Sequence, residues 1–189
     1  MKKTMMVLMA IMMTLSVSAK DDKVSVISGN GKALTESGKT ATVEFDYKNT
    51  VVEEGEKLMD YLKKRGEENV KDWPEVAAYA KGRFIESFNK KNKKGVQVVD
   101  ADKADLKMKI IIEKIDFGNT GVSVVFGGLG SAGGAEITGK LIVTDKGGKK
   151  LAEYELHQIR GGGATDFTEP KRLGSCYENL AKMIVKASN

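Results

Sequence analysis

The residues from Ala104 to Arg160 constrain the fold of this chain more than any other stretch. Every second residue at its start is apolar, namely Leu106, Met108, Ile110 and Ile112. A period of two places these four side chains on one face of a β-strand. The apolar phase then shifts to Ile115 and Phe117, as one extra residue in a β-bulge would produce. The stretch therefore predicts a long, bulged strand with one buried face.

Two further runs repeat this alternation later in the stretch. Their inward-facing positions are Ile137, Gly139, Leu141 and Val143 in the first run and Ala152, Tyr154 and Leu156 in the second. The turn-forming residues Asp-Lys-Gly-Gly at 145–148 separate the runs, which therefore predict a β-hairpin. A sheet of such strands has one apolar face, and that face needs a covering layer.

Amphipathic helices before and after these strands can supply the layer. Asp72, Pro74 and Glu75 have the order of a helix start, with Asp72 as the cap and Pro74 in the first turn. A final helix is predicted to begin at a Thr168 cap, with Pro170 in its first turn. The apolar stripes of the two helices are Val76, Ala80, Phe84 and Phe88, and Leu173, Tyr177, Leu180 and Ile184.

Shorter signals complete the predicted fold. Val24 to Ile27 is typical of an edge strand, Ala41 to Tyr47 of a strand with one buried face, and Val96 to Val99 of another short strand. A third helix is predicted from Val51 to Arg65, and Gly161 to Gly163 is typical of a flexible joint. Together these elements predict an α+β fold. It is a two-layer sandwich with two or three helices on one face of a mainly antiparallel sheet, and a mixed sheet is the alternative.

The N-terminus has the three parts of an export signal. Lys2 and Lys3 give a positive region, residues 5–15 an apolar run, and residues 17–19 the small side chains that precede a cleavage site. The apolar run is shorter than the roughly 20 residues that span a bilayer. We therefore expect a signal peptide at 1–19, cleavage between Ala19 and Lys20, and a single domain at 20–189 in the periplasm or outside the cell. Lys20 in place of a cysteine predicts no lipid anchor at that site, and no later run predicts a transmembrane segment.

Several features suggest chemistry, and each has a more ordinary interpretation. The glycines at 128, 130 and 133 match G-x-G-x-x-G, but a strand is predicted after them, where a dinucleotide site needs a helix. The acids between Asp100 and Asp105 fit a calcium loop poorly, because Ala104 occupies a ligand position. His157 faces outward with no nucleophile signature nearby, and Cys176 borders the apolar stripe of the last helix. The sequence thus predicts no catalytic residue, no cofactor and no metal site.

Positive charge is modest and spread along the chain. The net charge of +5 falls to +3 when Lys2 and Lys3 leave with the signal peptide, which is too little to predict nucleic-acid binding. The densest basic group, at 90–94, has no interleaved aromatic residues on which bases could stack. Lysines are also favourable at the negative C-terminal end of a helix. A solvated helix end is therefore favoured over contact with nucleic acid or anionic lipid.

The order of elements resembles a known class of domain. The segments that carry the resemblance lie between Asp72 and Lys182 and read DWPEV, FNKKNKKG, IDFGN, GGAEITGKLIVTD and DFTEPKRLGSCYENLAK. They are similar to exported α/β domains of the bacterial envelope and to periplasmic accessory modules of the curli-secretion type. The resemblance implies an envelope module that works without nucleotide, and it assigns no functional residue. Many of those accessory proteins have a lipoprotein cysteine, which this chain lacks at its predicted cleavage site.

Two classes of function stay open. The first is a non-enzymatic binding or assembly module of the bacterial periplasm or envelope, with an envelope protein or peptide as its partner. The second is a hydrolase whose carboxylates converge only in the folded chain. A deep pocket with converging carboxylates would favour the hydrolase, and a flat, exposed sheet face or edge would favour the binding module.

The glycine-rich segment from Gly121 to Gly134 contains the predicted partner-binding residues Val124, Phe126 and Leu129. It is too apolar for a plain linker. A strand at a sheet edge could accept an extended partner segment here, with Phe126 or Leu129 as the anchor. The alternative is that 122–126 is one more strand of the sheet and that only 127–134 forms a turn.

Overall fold

The computed structural model describes residues 23–52, 55–100, 104–118, 134–162 and 166–189. The described strands are β1 Val24–Gly29, β2 Thr40–Asp46, β3 Gln97–Val98, β4 Leu106–Asp116, β5 Ala135–Asp145 and β6 Lys150–Gly161. The described helices are α1 Leu58–Lys64, α2 Glu67–Lys91 and α3 Glu169–Ser188, with a 3-10 helix at Gly31–Leu34. This is the predicted α+β fold.

The six strands form one mixed sheet in the order β1-β6-β5-β4-β2-β3. β1, β6, β5 and β4 pair antiparallel with one another, whereas β2 is parallel to both β4 and β3. The chain passes from β2 through α1 and α2 to β3, and a helical crossover of this kind returns a strand in the same direction. The predicted hairpin of β5 and β6 is confirmed, and so is the bulge in β4, where the register shifts between Ile112 and Lys114.

The apolar face of the sheet and the helices that cover it form the core. Ile110 of β4, Leu141 of β5 and Tyr154 of β6 are all 0% exposed, so the predicted inward faces of these strands are confirmed. The predicted helical stripes are buried as well, except for Val76, which is only partly buried against the core. Burying each large apolar side chain stabilises the fold by about 1.5–3 kcal/mol, and the helices supply the second layer of the sandwich.

The start of α2 differs from the prediction. The helix begins at Glu67, directly after Gly66, and Pro74 lies inside it rather than in its first turn. Proline removes one intrahelical hydrogen bond, which usually ends or kinks a helix. Here Trp73 is buried, and its ring packs edge-on against Tyr47 and Phe117 at centroid distances of 5.2 and 6.2 Å. This packing holds the helix together through the proline.

The helix predicted from Val51 to Arg65 is also shorter than expected, because α1 begins only at Leu58. Val51 instead joins the sheet beside the bulge of β4. Its N–H donates to the carbonyl of Glu113 at 3.0 Å, and its own carbonyl accepts from the N–H of Ile115 at 2.9 Å. The pairing of β2 with β4 ends at Ile111, and Val51 continues it as a parallel bridge to Lys114, so the chain is held extended there.

Two expectations at the start of α3 need correction. Gly161 is not part of a flexible joint but the buried last residue of β6, and a Cβ there would lie 1.9 Å from the backbone nitrogen of Cys176. Thr168 occupies the N-cap position as predicted and Pro170 lies in the first turn, but the Thr168 side chain makes no capping hydrogen bond.

In the part of the chain that the structure describes, no helix has the length and apolar character to cross a membrane.

Candidate functional site

α2 and α3 lie side by side on the sheet and run in the same direction. Tyr79 of α2 lies against Gly174 of α3, and a Cβ at Gly174 would be only 2.6 Å from Tyr79 Cε1. One turn later on each helix, Arg83 pairs with Glu178. The absence of a side chain at Gly174 lets the Tyr79 ring approach the α3 backbone closely, which fixes the distance between the helices.

Towards the C-terminal ends of both helices, their facing sides open into a groove of about 510 Å³, which we call the α2–α3 groove. Its lining residues are all polar or charged, and they are Arg83, Glu86, Ser87, Lys90, Lys91, Lys93, Glu178 and Lys182. Five cationic and two acidic side chains give this groove a net charge of +3. Such a surface can attract anions and hold them by charge-assisted hydrogen bonds.

An ion network centred on Glu178 forms one end of the groove. The Glu178 carboxylate accepts from Arg83 and, at 2.8 Å, from Lys182, while Arg83 also pairs with Glu86 at 3.4 Å. The hydrogen bond from Lys182 is the largest cause that lowers the pKa of Glu178 below its ordinary value. Ser87 adds a link between the helices by donating to the Glu178 carbonyl oxygen at 3.1 Å. The network thus pairs both Arg83 and Lys182 with acidic side chains of the groove.

Lys90, Lys91 and Lys93 carry the rest of the positive charge. All three are exposed, and among the described residues no acidic side chain forms an ion pair with them. Their position at the end of α2 is favourable, because the helix dipole is negative there. The fold adds Lys182, which comes from α3 and lies in the same groove.

The other face of the sheet has a different electrostatic character. No described helix covers it, and its charges are largely paired across strands, as in Lys107–Glu44, Lys109–Asp46, Lys140–Glu113 and Arg160–Glu136. Exposed pairs of this kind contribute about 0–1 kcal/mol each. The open face that would favour a binding module therefore exists, but its charges neutralise one another. For this reason the α2–α3 groove is the better candidate for charge-based recognition.

The partner-binding and cleavage residues predicted from sequence lie outside the described part of the structure. Val124, Phe126 and Leu129 lie outside the described residues, as do the cleavage residues Ala19 and Lys20. The glycine motif at 128–133 lies outside them as well. The partner-binding segment and the cleavage site therefore remain predictions.

Asp105 has a structural role. Its Oδ2 accepts hydrogen bonds from the backbone N–H of Thr40 at 2.9 Å and from the Thr40 hydroxyl at 3.1 Å, and its Oδ1 lies 3.0 Å from Lys146 Nζ. The bond from the Thr40 backbone, followed by that from Lys146, lowers the pKa of Asp105 to about 2. The carboxylate thus ties the start of β2 to the turn between β5 and β6. Among the described residues there is no group of three or more metal-ligating side chains.

Cys176 and His157 lie where the sequence predicts. Cys176 is 0% exposed, its thiol donates to the carbonyl oxygen of Ile159 at 2.9 Å, and burial raises its pKa. A thiol of raised pKa forms little of the reactive thiolate. His157 is exposed on the outer face of β6.

Sequence reasoning missed the contribution of Glu178 and Lys182, whose spacing of four residues indicates a helical ion pair but not which helix lies opposite.

Comparison with known proteins adds little to this description. No protein-family model and no curated protein sequence matches the chain. A solved dodecamer of PelC from Paraburkholderia phytofirmans is similar at 13% sequence identity and a TM-score of 0.41, covering 85% of this chain and 95% of that one. A similarity this distant supports no conclusion about function.

Proposed function

We propose that this chain is a non-enzymatic binding module of the bacterial periplasm or envelope that binds an anionic ligand in the α2–α3 groove. The observation that carries the proposal is the convergence of five cationic side chains on one concave surface between two helices. Three of them, Lys90, Lys91 and Lys93, have no acidic partner among the described residues. Their charge is therefore available to a ligand.

The groove combines paired and unpaired cations. Arg83 and Lys182 are paired with Glu178, so the uncompensated positive charge of the groove lies on the three exposed lysines. The three lysines are exposed. Their electrostatic attraction acts over a longer distance and can steer an anion towards the groove at low ionic strength. Salt screens the attraction between exposed charges over about 10 Å at 0.1 M ionic strength. This binding should therefore weaken as salt is added.

The proposal predicts that a small polyanion stabilises the folded chain. We expect inorganic tripolyphosphate at about 100 times its Kd to add about 2.7 kcal/mol to the free energy of unfolding, because it binds only the folded groove. For a chain of this size that corresponds to a rise in Tm of about 5–10 °C. Differential scanning fluorimetry across a titration, at low and at high salt, measures the rise.

The matched controls are two variants with the same change in net charge. K90Q/K91Q/K93Q removes the unpaired lysines of the groove, whereas K63Q/K71Q/K171Q removes three exposed lysines that do not line it. Glutamine has nearly the helix propensity of lysine, so both variants should fold. The rise in Tm should vanish in the first variant and persist in the second. Equal loss in both, or no rise in the unmodified chain, would contradict the proposal.

Location in the envelope rests on the N-terminal sequence. We expect export with cleavage after Ala19, which leaves a single domain that begins at Lys20. Intact mass spectrometry of the protein recovered from the periplasm or culture medium of a bacterial host gives the cleavage position. A mature chain that retains Met1, or that begins far from Lys20, would exclude this site. Replacing Ala19 by a bulky residue such as Phe should block or shift the cleavage.

A further inference from the structure

The two edges of the sheet differ in how their backbone groups are bonded. At one edge, β3 is only two residues long, and the Asn89 side chain of α2 lies against it. The Asn89 Oδ1 accepts from the N–H of Val98 at 2.7 Å, and its Nδ2 donates to the Val98 carbonyl oxygen at 2.9 Å. The side chain thus takes the place of a further strand, and this edge is closed to pairing.

β1 forms the other edge, and β6 is the only described strand that pairs with it. The carbonyl oxygen of Lys23 accepts from the N–H of His157 at 2.7 Å, so these two residues form a hydrogen-bonded pair. Hydrogen-bonded and non-hydrogen-bonded pairs alternate along an antiparallel ladder. The backbone N–H and C=O groups of Val24 and Val26 therefore point away from β6, and no described residue bonds them on that side.

The side chains of β1 do little to protect this edge. The strand reads VSVISG, without the charged residues or proline that keep other chains away from an edge strand. Val26 and Ile27 are 38% and 49% exposed, so an added strand would remove apolar surface from water. A bulge between Val26 and Ser28 does interrupt the strand. The regular, open part of the edge therefore runs from Val24 to Val26.

β1 of a second copy has the chemistry that this edge requires. Two such strands can pair antiparallel about a two-fold axis at Ser25, with Val24 of each copy opposite Val26 of the other. The outward backbone groups of Val24 and Val26 then exchange hydrogen bonds in both directions. No like charges meet, because the residues brought together are valines and serines. A symmetric contact of this kind closes both open edges at once.

We propose that β1 pairs antiparallel with β1 of a second copy and joins the two sheets into one continuous sheet. The pairing of one short strand is small beside the roughly 1,600 Å² of a standard interface. The dimer is therefore weak, and its population rises with concentration. The inference is independent of the proposed function, because β1 contributes no residue to the α2–α3 groove.

The test measures self-association of the chain without residues 1–19. Sedimentation equilibrium should show a mass that rises from monomer towards dimer between micromolar and millimolar concentration. Ser25→Lys should raise the Kd of the dimer about fivefold, because two lysines would face each other on the two-fold axis. Ser25→Glu should do the same, and an equimolar mixture of the two variants should restore the dimer. Ser25 is only partly buried, so both variants should fold.

Met59→Lys is the matched control. It adds the same charge and replaces another exposed apolar side chain, on α1, so the Kd should stay within about twofold of that of the unmodified chain. Hydrogen exchange gives a second readout. The amides of Val24 and Val26 should exchange more slowly as the dimer forms, whereas that of Val98, already bonded to Asn89, should not change.

Four results would overturn the inference. The first is a chain that stays monomeric at every concentration. The second is slow exchange of the Val24 and Val26 amides in the monomer, which would mean that the chain itself covers the edge. The third is a dimer that Ser25→Lys leaves intact and K90Q/K91Q/K93Q abolishes, which would place the contact at the groove. The fourth is a mixture of Ser25→Lys and Ser25→Glu that remains monomeric, which would exclude a two-fold axis at this residue.

Discussion

Replacing Phe84 by alanine is expected to lower the free energy of unfolding by about 3–5 kcal/mol. Phe84 is 0% exposed at the centre of α2, and its ring packs against Phe45 and Phe88 at centroid distances of 5.4 and 5.8 Å. The loss has two sources, the transfer free energy of the deleted ring and the cavity that remains between helix and sheet. Urea unfolding followed by circular dichroism measures the difference.

Tyr79→Ala is the matched control for this prediction. It removes an aromatic ring from the same helix, but Tyr79 is 45% exposed, so much less apolar surface leaves the core. Its destabilisation should be clearly smaller than that of Phe84→Ala. Similar losses for the two variants would mean that the face of α2 carrying Phe84 is not the buried one.

Gly161→Ala is expected to destabilise the chain by about 3 kcal/mol, although it adds only one methyl group. The new Cβ would lie 1.9 Å from the backbone nitrogen of Cys176 and 2.1 Å from its Cα. These are backbone atoms of α3, so no side-chain rotation can relieve the clash. The helix would have to move away from β6, and the packing of its buried stripe would loosen. Thermal unfolding should show a lower Tm and a less cooperative transition.

Gly82→Ala is the control for Gly161→Ala and should have the opposite sign. Gly82 lies in the middle of α2, and nothing is within 4 Å of the position its Cβ would take. Alanine lowers the entropy of the unfolded chain and favours the helix, which should stabilise by about 0.5–1 kcal/mol. If Gly82→Ala destabilised as strongly as Gly161→Ala, glycine at 161 would not be required by the contact between β6 and α3.

The groove and the core depend on the same contact between helices. Gly174 allows the close approach of Tyr79, and Ser87 and Arg83 then bond Glu178 across the interface. The cations of the groove are therefore positioned by the packing that stabilises the domain. For that reason the groove variant K90Q/K91Q/K93Q and its control K63Q/K71Q/K171Q change exposed lysines alone.

The sequence by itself determined the elements whose signal is local. Alternation along residues 106–117 predicted β4 with its bulge, and the spacing from Ala80 to Phe88 predicted the buried face of α2. Burial of one face of a strand or helix imposes its period on neighbouring residues, so these features can be read within a short window.

Tertiary structure decided what depends on residues distant in sequence. α2 extends back through Pro74 because Trp73 packs on Tyr47 and Phe117, and Val51 is extended because β4 bonds it. The candidate site belongs to this second class, since Lys182 meets the lysines of α2 only when α3 packs parallel to α2. Pairing between elements is set by loop-closure and packing energies summed over the whole fold, and no local pattern records them.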